Sequence, residues 1–283
     1  MTEFQEQVKK LVEEGKTHSE ICKILNKAKS SVSSAIKSLG LTPKKAFINT
    51  VDENYLSVID TDSKAYFLGF FIADGSVADK NRNHGRFSFN IQAEDGYILE
   101  YFANQLKCPS CVKHIEYQNG AAHRKPQSRL RWTSKKMLSD LSIYNLGPRK
   151  TDLDFELPLN KIPEKFYGAL IRGFIDGDGS FEQHDVIFNP VISGPNYKWL
   201  VQISEIINKY TGLSYVFYEH EGKTCKWWIC RWKADSTNKF EKIKKLYEFL
   251  YSGAEICLKR KKDKIEAYLE YRAKQLSKEW LPV

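Results

Sequence analysis

Two aspartates stand where chemistry would be unexpected. They close the apolar stretches "AYFLGFFIADGSV" (65–77) and "ALIRGFIDGDGSF" (169–181), and each, Asp74 and Asp178, is followed by glycine. Both stretches read as buried helices, so both acids fall at a C-terminal end, where the helix dipole is already negative. Two carboxylates brought together in that setting repel each other and lose hydration, which raises the pKa of both. A hard divalent cation reverses the cost, and carboxylate, backbone carbonyl, water and phosphate oxygens are a ligand set that suits Mg²⁺. Asp74 and Asp178 are therefore expected to be metal ligands and catalytic residues, with the chain at Gly75 and Gly179 beside them. Those glycines are expected to turn left-handed, ending each helix and starting a strand.

The elements that must position the acids follow from the same alignment. Gly69 matches Gly173 and Ala73 matches Gly177, which puts small residues four apart on one helix face. Small residues at that spacing let two helix backbones approach closely. The two helices are expected to lie side by side, with their acidic ends together.

Downstream of each helix the pattern repeats. Copy one, 63–160, reads as strand pair, helix, strand pair, helix, and copy two, 161–283, follows the same order and adds a basic helix over about 259–276. Asp178 lies 104 residues beyond Asp74 (178 − 74), and the Arg-Trp pairs at 131–132 and 231–232 differ by 100. The expected fold is α+β: two pseudo-symmetric αββαββα copies joined through the acid-tipped helices.

Residues 1–40 read as three short helices, with Thr17 and Glu20 spaced as a capping box and Asn26 at a turn. Cys22, Leu25, Ala28, Val32 and Ile36 are expected to share a small core. This block resembles a helix-turn-helix DNA-binding unit. The resemblance places Ser31, Ser33, Ser34 and Lys37 on a recognition helix. Residues 41–62 lose the helical period and are expected to be a linker.

The segments "FLGFFIADG" (67–75) and "IRGFIDGDG" (171–179), with the repeated strand pattern, resemble the LAGLIDADG homing endonucleases in their single-chain, two-motif form. The resemblance implies two antiparallel sheets forming a saddle over double-stranded DNA. It also implies metal-dependent hydrolysis of one phosphodiester in each strand across the minor groove, leaving short 3′ overhangs. The family's acidic ligands map onto Asp74 and Asp178. Ile72 departs from the motif where copy two keeps Asp176, a position that is usually not the ligand. Mg²⁺ is the expected cofactor, with Ca²⁺ supporting binding without cleavage. A lysine usually assists, and by position Lys150 and Lys259 are chosen, with Lys261 a rival to Lys259. A non-catalytic transcription regulator and an RNA-splicing maturase are the alternatives. No splicing blocks flank the unit, so an intein origin is not expected.

Strand alternation names the expected DNA contacts. Arg86, Ser88, Asn90 and Gln92 share one face of "GRFSFNIQ", opposite Phe87, Phe89 and Ile91. Arg129 and Arg131 alternate with Leu130 and Trp132, and Arg231 and Lys233 alternate with Cys230 and Trp232. Arginine suits guanine, and asparagine or glutamine suits adenine.

Composition agrees with a polyanionic partner. The formal net charge of the 283-residue chain is +9. No export signal is evident, and the nine-residue run "AYFLGFFIA" is too short to span a bilayer. A monomer with a long target site and no membrane partner is expected, in the cytoplasm of a bacterium or phage-infected cell, or in an organelle. The six cysteines are expected to be reduced, and zinc at Cys108 and Cys111 with Cys225 and Cys230 is not expected.

Overall fold

The computed structural model describes residues 1–43, 51–78, 85–116, 125–184, 187–222, 226–233 and 238–279. The chain separates into two compact units, Met1–Thr50 and Val51–Val283.

The first unit holds α1 (Glu3–Glu13), α2 (His18–Ile24) and α3 (Lys29–Ser38). Capping boxes start α1 at Thr2 and Gln5 and α2 at Thr17 and Glu20. Asn26 takes the left-handed conformation at φ 48° in the turn between α2 and α3. The small core differs from the expected one. Val8, Ile21, Val32, Ala35 and Ile36 are buried, with Cys22 and Leu25 packed partly against them. Ala28 is exposed, because it is the extended N-cap residue of α3 rather than part of a helix face.

The second unit begins before its first long helix. Residues 51–62 are not the linker expected from the sequence. Tyr55, Leu56 and Ile59 are buried in the main core. The Tyr144 hydroxyl donates to the Leu56 carbonyl at 3.1 Å, and the Ser57 hydroxyl donates to Asp140 at 2.7 Å. The segment has no helical period because it is laid across the core in turns, and its apolar residues follow the packing.

Two copies then run in parallel order. Copy one holds α4 (Asp62–Asp74), β1 (Ser76–Val77), β2 (Arg86–Gln92), α5 (Tyr97–Gln105), β3 (Val112–Ile115), β4 (Gln127–Thr133) and α6 (Lys135–Ile143). Copy two holds α7 (Tyr167–Asp178), β5 (Gly179–His184), β6 (Ile187–Gly194), α8 (Tyr197–Thr211), β7 (Ser214–Glu221), β8 (Lys226–Lys233) and α9 (Lys239–Tyr251), followed by α10 (Lys259–Glu279). The strands make two antiparallel sheets ordered β1-β2-β4-β3 and β5-β6-β8-β7. The fold is therefore the α+β arrangement the repeats imply. Among the described residues no helix is long and apolar enough to cross a membrane.

Alternation places one face of each sheet in the core. Phe87, Phe89, Leu130 and Trp132 of sheet one are buried against Phe67, Phe70 and Phe71 of α4. The Phe87 and Trp132 rings stack 5.0 Å apart, and Phe67 meets Phe102 edge-on at 4.8 Å. Sheet one covers one side of α4 and α7 the other, which explains why that helix is apolar all round rather than amphipathic.

The seam between the copies is α4 against α7. A Cβ on Gly69 would sit 1.9 Å from the Leu170 carbonyl oxygen, and one on Gly173 would sit 2.1 Å from the Tyr66 carbonyl oxygen. Tyr66 and Leu170 are themselves 104 apart (170 − 66), so the two contacts are images of each other. Backbone touches backbone, which only glycine permits. Arg172 locks this seam from within. Its guanidinium, buried at 2% exposure, reaches Asp62 at 2.6 Å, the Leu250 carbonyl at 2.5 Å and the Ile256 carbonyl at 3.0 Å.

Candidate functional site

The close approach of α4 and α7 brings their acidic ends together. A Cβ on Gly177, the residue before Asp178, would lie 2.3 Å from the Ala73 methyl and 3.2 Å from Asp74 Oδ2. Asp74 and Asp178 are thus neighbours across the seam, and both side chains reach solvent. Gly75 and Gly179 do not adopt the left-handed turn expected of them. They are extended, at φ −73° and −89°. Glycine is needed there for room: a Cβ would come within 2.6 Å of the Phe71 carbonyl at Gly75 and 2.7 Å of the Ile175 carbonyl at Gly179.

Crowding at this junction strips water from the acids. Desolvation lifts the Asp178 carboxyl to about 6, Asp74 adds like-charge repulsion, and Lys150 and Lys261 pull the other way. Asp74 is raised by the same desolvation, against Lys261, Lys150 and Arg260. The lysines do not form ion pairs with the acids. Lys150 donates to the Ala73 carbonyl at 3.0 Å. Lys261 donates to the carbonyls of Ile175, Asp176 and Gly179 at 2.6, 2.6 and 2.7 Å. Each lysine thus satisfies carbonyls that a helix end leaves open. Of the two lysines, the one from the other copy acts more strongly on each acid, Lys261 on Asp74 and Lys150 on Asp178, while Lys261 is held most strongly by Asp176 of its own copy. Burial lowers both ammonium groups, Lys261 to about 8.

Among the described residues no hydrogen bond or ion pair reaches either carboxylate. Two adjacent acids with raised pKa, solvent access and no hydrogen-bond partner among the described residues form a donor set that fits divalent cations. The Gly179 carbonyl already accepts from Lys261, which lessens its fitness as a ligand.

Lys259, chosen from the sequence, stands elsewhere. It is exposed, its backbone N–H donates to the Tyr97 hydroxyl at 2.8 Å, and its ammonium lies 5.3 Å from the Tyr97 ring. Lys261 occupies the place that Lys150 holds in copy one. The choice turned on the start of α10: two further residues rotate the side chain from the surface to the end of α7. Asp176 lies buried behind the two acids, with its Oδ1 unpartnered among the described residues. It is 1% exposed, and its Oδ2 accepts from the Tyr66 hydroxyl at 2.9 Å and the Leu258 N–H at 2.7 Å. It joins α4, α7 and the entry to α10.

Two open pockets flank the seam, one beside each acid. The first is lined by Asp74, Asn90, Gln92, Asp95, Gln127 and Arg260, with Arg260 paired to Asp95 at 3.1 Å. The second is lined by Asp178, Lys150, Thr151, Gly194, Asn196 and Trp227. The sequence singled out Asp74, Asn90, Gln92, Lys150 and Asp178 for roles in chemistry or DNA contact. Strand alternation put Trp227 on the face of Arg231, and Arg260 fell only in a generic basic run, so neither was singled out; Asp95 gave no signal at all.

The remaining sequence-chosen residues fall on surfaces. Arg86, Ser88, Asn90 and Gln92 share the outer face of β2, and register sets Ser88 opposite Arg131 and Asn90 opposite Arg129. The Asn90 amide donates to Gln127 at 2.9 Å, and Arg129 donates to Asn90 at 3.5 Å. Arg231 is on the outer face of β8 but is bound to Glu182 at 3.0 Å, and Lys233 is exposed. Ser31, Ser33, Ser34 and Lys37 are exposed on α3, with Ser33 hydrogen-bonded to His18 at 2.8 Å. Cys108 and Cys111 are buried in the main core, Cys230 contacts Ser204 at 3.1 Å, and Cys225 lies outside the described residues.

No protein family model and no curated protein matches the sequence. Among solved structures, the chain is similar at low identity to the following. The homing endonuclease I-WcaI bound to its DNA recognition sequence is 16% identical, over 81% of this chain and 96% of that one, with a TM-score of 0.49. I-DmoI in complex with DNA and Mn is 16% identical over 71% of this chain and 99% of that one, with a TM-score of 0.42. The N-terminal LAGLIDADG domain of DUF199/WhiA is 15% identical over 76% of this chain and 96% of that one, with a TM-score of 0.36.

Proposed function

We propose that this protein is a site-specific DNA endonuclease that hydrolyses both strands of a duplex with the help of Mg²⁺, leaving short 3′ overhangs. The reading rests above all on Asp74 and Asp178, which lie side by side at the end of the seam, with no hydrogen-bond partner among the described residues. Asp74 and Asp178 would hold the ions, which supply charge stabilisation of the phosphoryl oxygens and an activated water. Lys150 and Lys261 hold the two helix ends rigid, so the acids keep their separation. Their ammonium charges also favour a phosphate arriving beside the carboxylates. The outer faces of the sheets, carrying Arg86, Arg129, Arg131 and Lys233, bind the flanking duplex. In the first unit, Ser31, Ser34 and Lys37 extend the contact beyond the cut site. The protein acts as a monomer on a long target inside the cell.

The test is incubation with a randomised duplex library in Mg²⁺ and, separately, in Ca²⁺, followed by sequencing of ends. Cleavage of both strands at one site in Mg²⁺, retained binding in Ca²⁺, and loss of cleavage with preserved binding in Asp74→Asn and Asp178→Asn are the expected results. Binding without cleavage under every divalent ion would overturn the reading in favour of a regulator.

A further inference from the structure

The two sheets occupy equivalent places but carry different chemistry on their outer faces. Register fixes the comparison. In sheet one, Arg129 lies opposite Asn90 and Lys113, and Gln127 lies opposite Gln92. In sheet two, the place of Arg129 is held by Ile229, opposite Ser193 and Tyr218, and that of Gln127 by Trp227, opposite His220. Ser88, opposite Arg131, is replaced by Val191, opposite Arg231. Val216 joins the same face, also opposite Arg231.

Three of the apolar members are open to solvent, Val216 at 39% exposure and Tyr218 and Trp227 at 37% each, while Ile229 is half-buried and Val191 is buried beneath them. Arg231, in their midst, is held by Glu182 at 3.0 Å and lies 5.8 Å from the Tyr218 ring. This face is continuous with the acids, because Trp227 and Asp178 line one pocket, just as Gln127 and Asp74 line the other. On the nuclease reading, both faces therefore meet the same duplex.

In the major groove each base edge offers hydrogen-bonding groups, and thymine alone adds a methyl. Arginine, asparagine and glutamine match the former; valine, isoleucine and aromatic side chains match the latter. We propose that the outer face of β5-β6-β8-β7 recognises its half of the target through thymine methyl groups, whereas β1-β2-β4-β3 reads its half by hydrogen bonds to purines. The occupant of the apolar face is thymine-bearing duplex DNA, favoured by the chain's charge of +9 and by Lys233 at the end of the same strand. The inference rests on the nuclease reading and adds which bases each half of the target carries.

The experiment selects bound duplexes from a randomised pool in Ca²⁺, then replaces thymine by deoxyuridine in one half-site at a time. Thymines concentrated in the half that loses protection in an Ile229→Arg variant would support the proposal. Binding should then weaken about fourfold for each methyl removed from that half, the worth of one buried CH₂, and stay within twofold for the other half. The Ile229→Arg variant should shift the preference at its step from thymine to guanine. Indifference to deoxyuridine in a duplex that is bound and cut overturns the proposal and leaves the nuclease intact. Failure to bind any duplex overturns both. A stable dimer that Val216→Lys disperses would assign the face to a second copy of this chain and overturn the proposal as well.

Discussion

Replacing Gly69 by alanine tests the seam on which the site depends. In an isolated helix the change would help, by about 1 kcal/mol of propensity. Here the new methyl would lie 1.9 Å from the Leu170 carbonyl oxygen and 3.0 Å from the Phe174 nitrogen. Relief to even 3.0 Å demands at least 1.1 Å of movement (3.0 − 1.9) by backbone, not by a flexible side chain. Overpacking costs about 1–3 kcal/mol where side chains can adjust. With two helix backbones as the colliding parts, the steric cost sits at or above the top of that range and exceeds the gain in propensity. A net loss of about 2 kcal/mol or more is expected, which lowers Tm by roughly 4–8 °C in a unit of this size. Denaturant titration and thermal unfolding would measure it, with Gly147→Ala as control, since nothing lies within 4 Å of a Cβ there. The control should stay within about 0.5 kcal/mol of the parent. Because Ala73 and Gly177 meet at the acidic end of the same seam, Gly69→Ala should also abolish cleavage. A variant as stable as the control and still active would refute the backbone-to-backbone seam.

Further outcomes follow from the charges. The Asp178 carboxyl is raised in the fold from 3.8 to about 6, so its contribution to metal-free stability is complete below the lower value and lost as pH rises through the higher one. Asp178→Asn should therefore be more stable than the parent near neutral pH without metal and no better near pH ~4. Divalent ions should stabilise only the parent, with affinity rising through pH ~6, as calorimetry against CaCl₂ would show. Lys261→Met strips a donor from the buried carbonyls of Ile175, Asp176 and Gly179 and should cost about 1–3 kcal/mol. Lys259→Met should stay within about 0.5 kcal/mol of the parent by the same denaturant titration. Arg172→Leu leaves Asp62 and two buried carbonyls without their donor and should lose about 3–5 kcal/mol.

Sequence alone determined the parts whose cause is local. The small residues four apart and the alternation of arginine with leucine or tryptophan in "SRLRWTS" are short-range patterns that fix which residues share a face. They were enough to pair α4 with α7, to set Asp74 beside Asp178, and to put Arg129 and Arg131 on the face away from the core. Residues 51–62 escaped because their burial has no period: Tyr55, Leu56 and Ile59 are placed by what they pack against. Only the tertiary structure decided between Lys259 and Lys261, since the entry angle of α10 is set by Asp176 holding the Leu258 N–H from another helix. It alone revealed that Lys150 and Lys261 act across the seam, each on the opposite copy's acid, and that Asp95, Arg260 and Trp227 line the pockets. The physical reason is range: periodicity records how neighbouring residues share a face, whereas a site assembled from two copies depends on contacts between residues about a hundred positions apart, such as Tyr66 and Asp176.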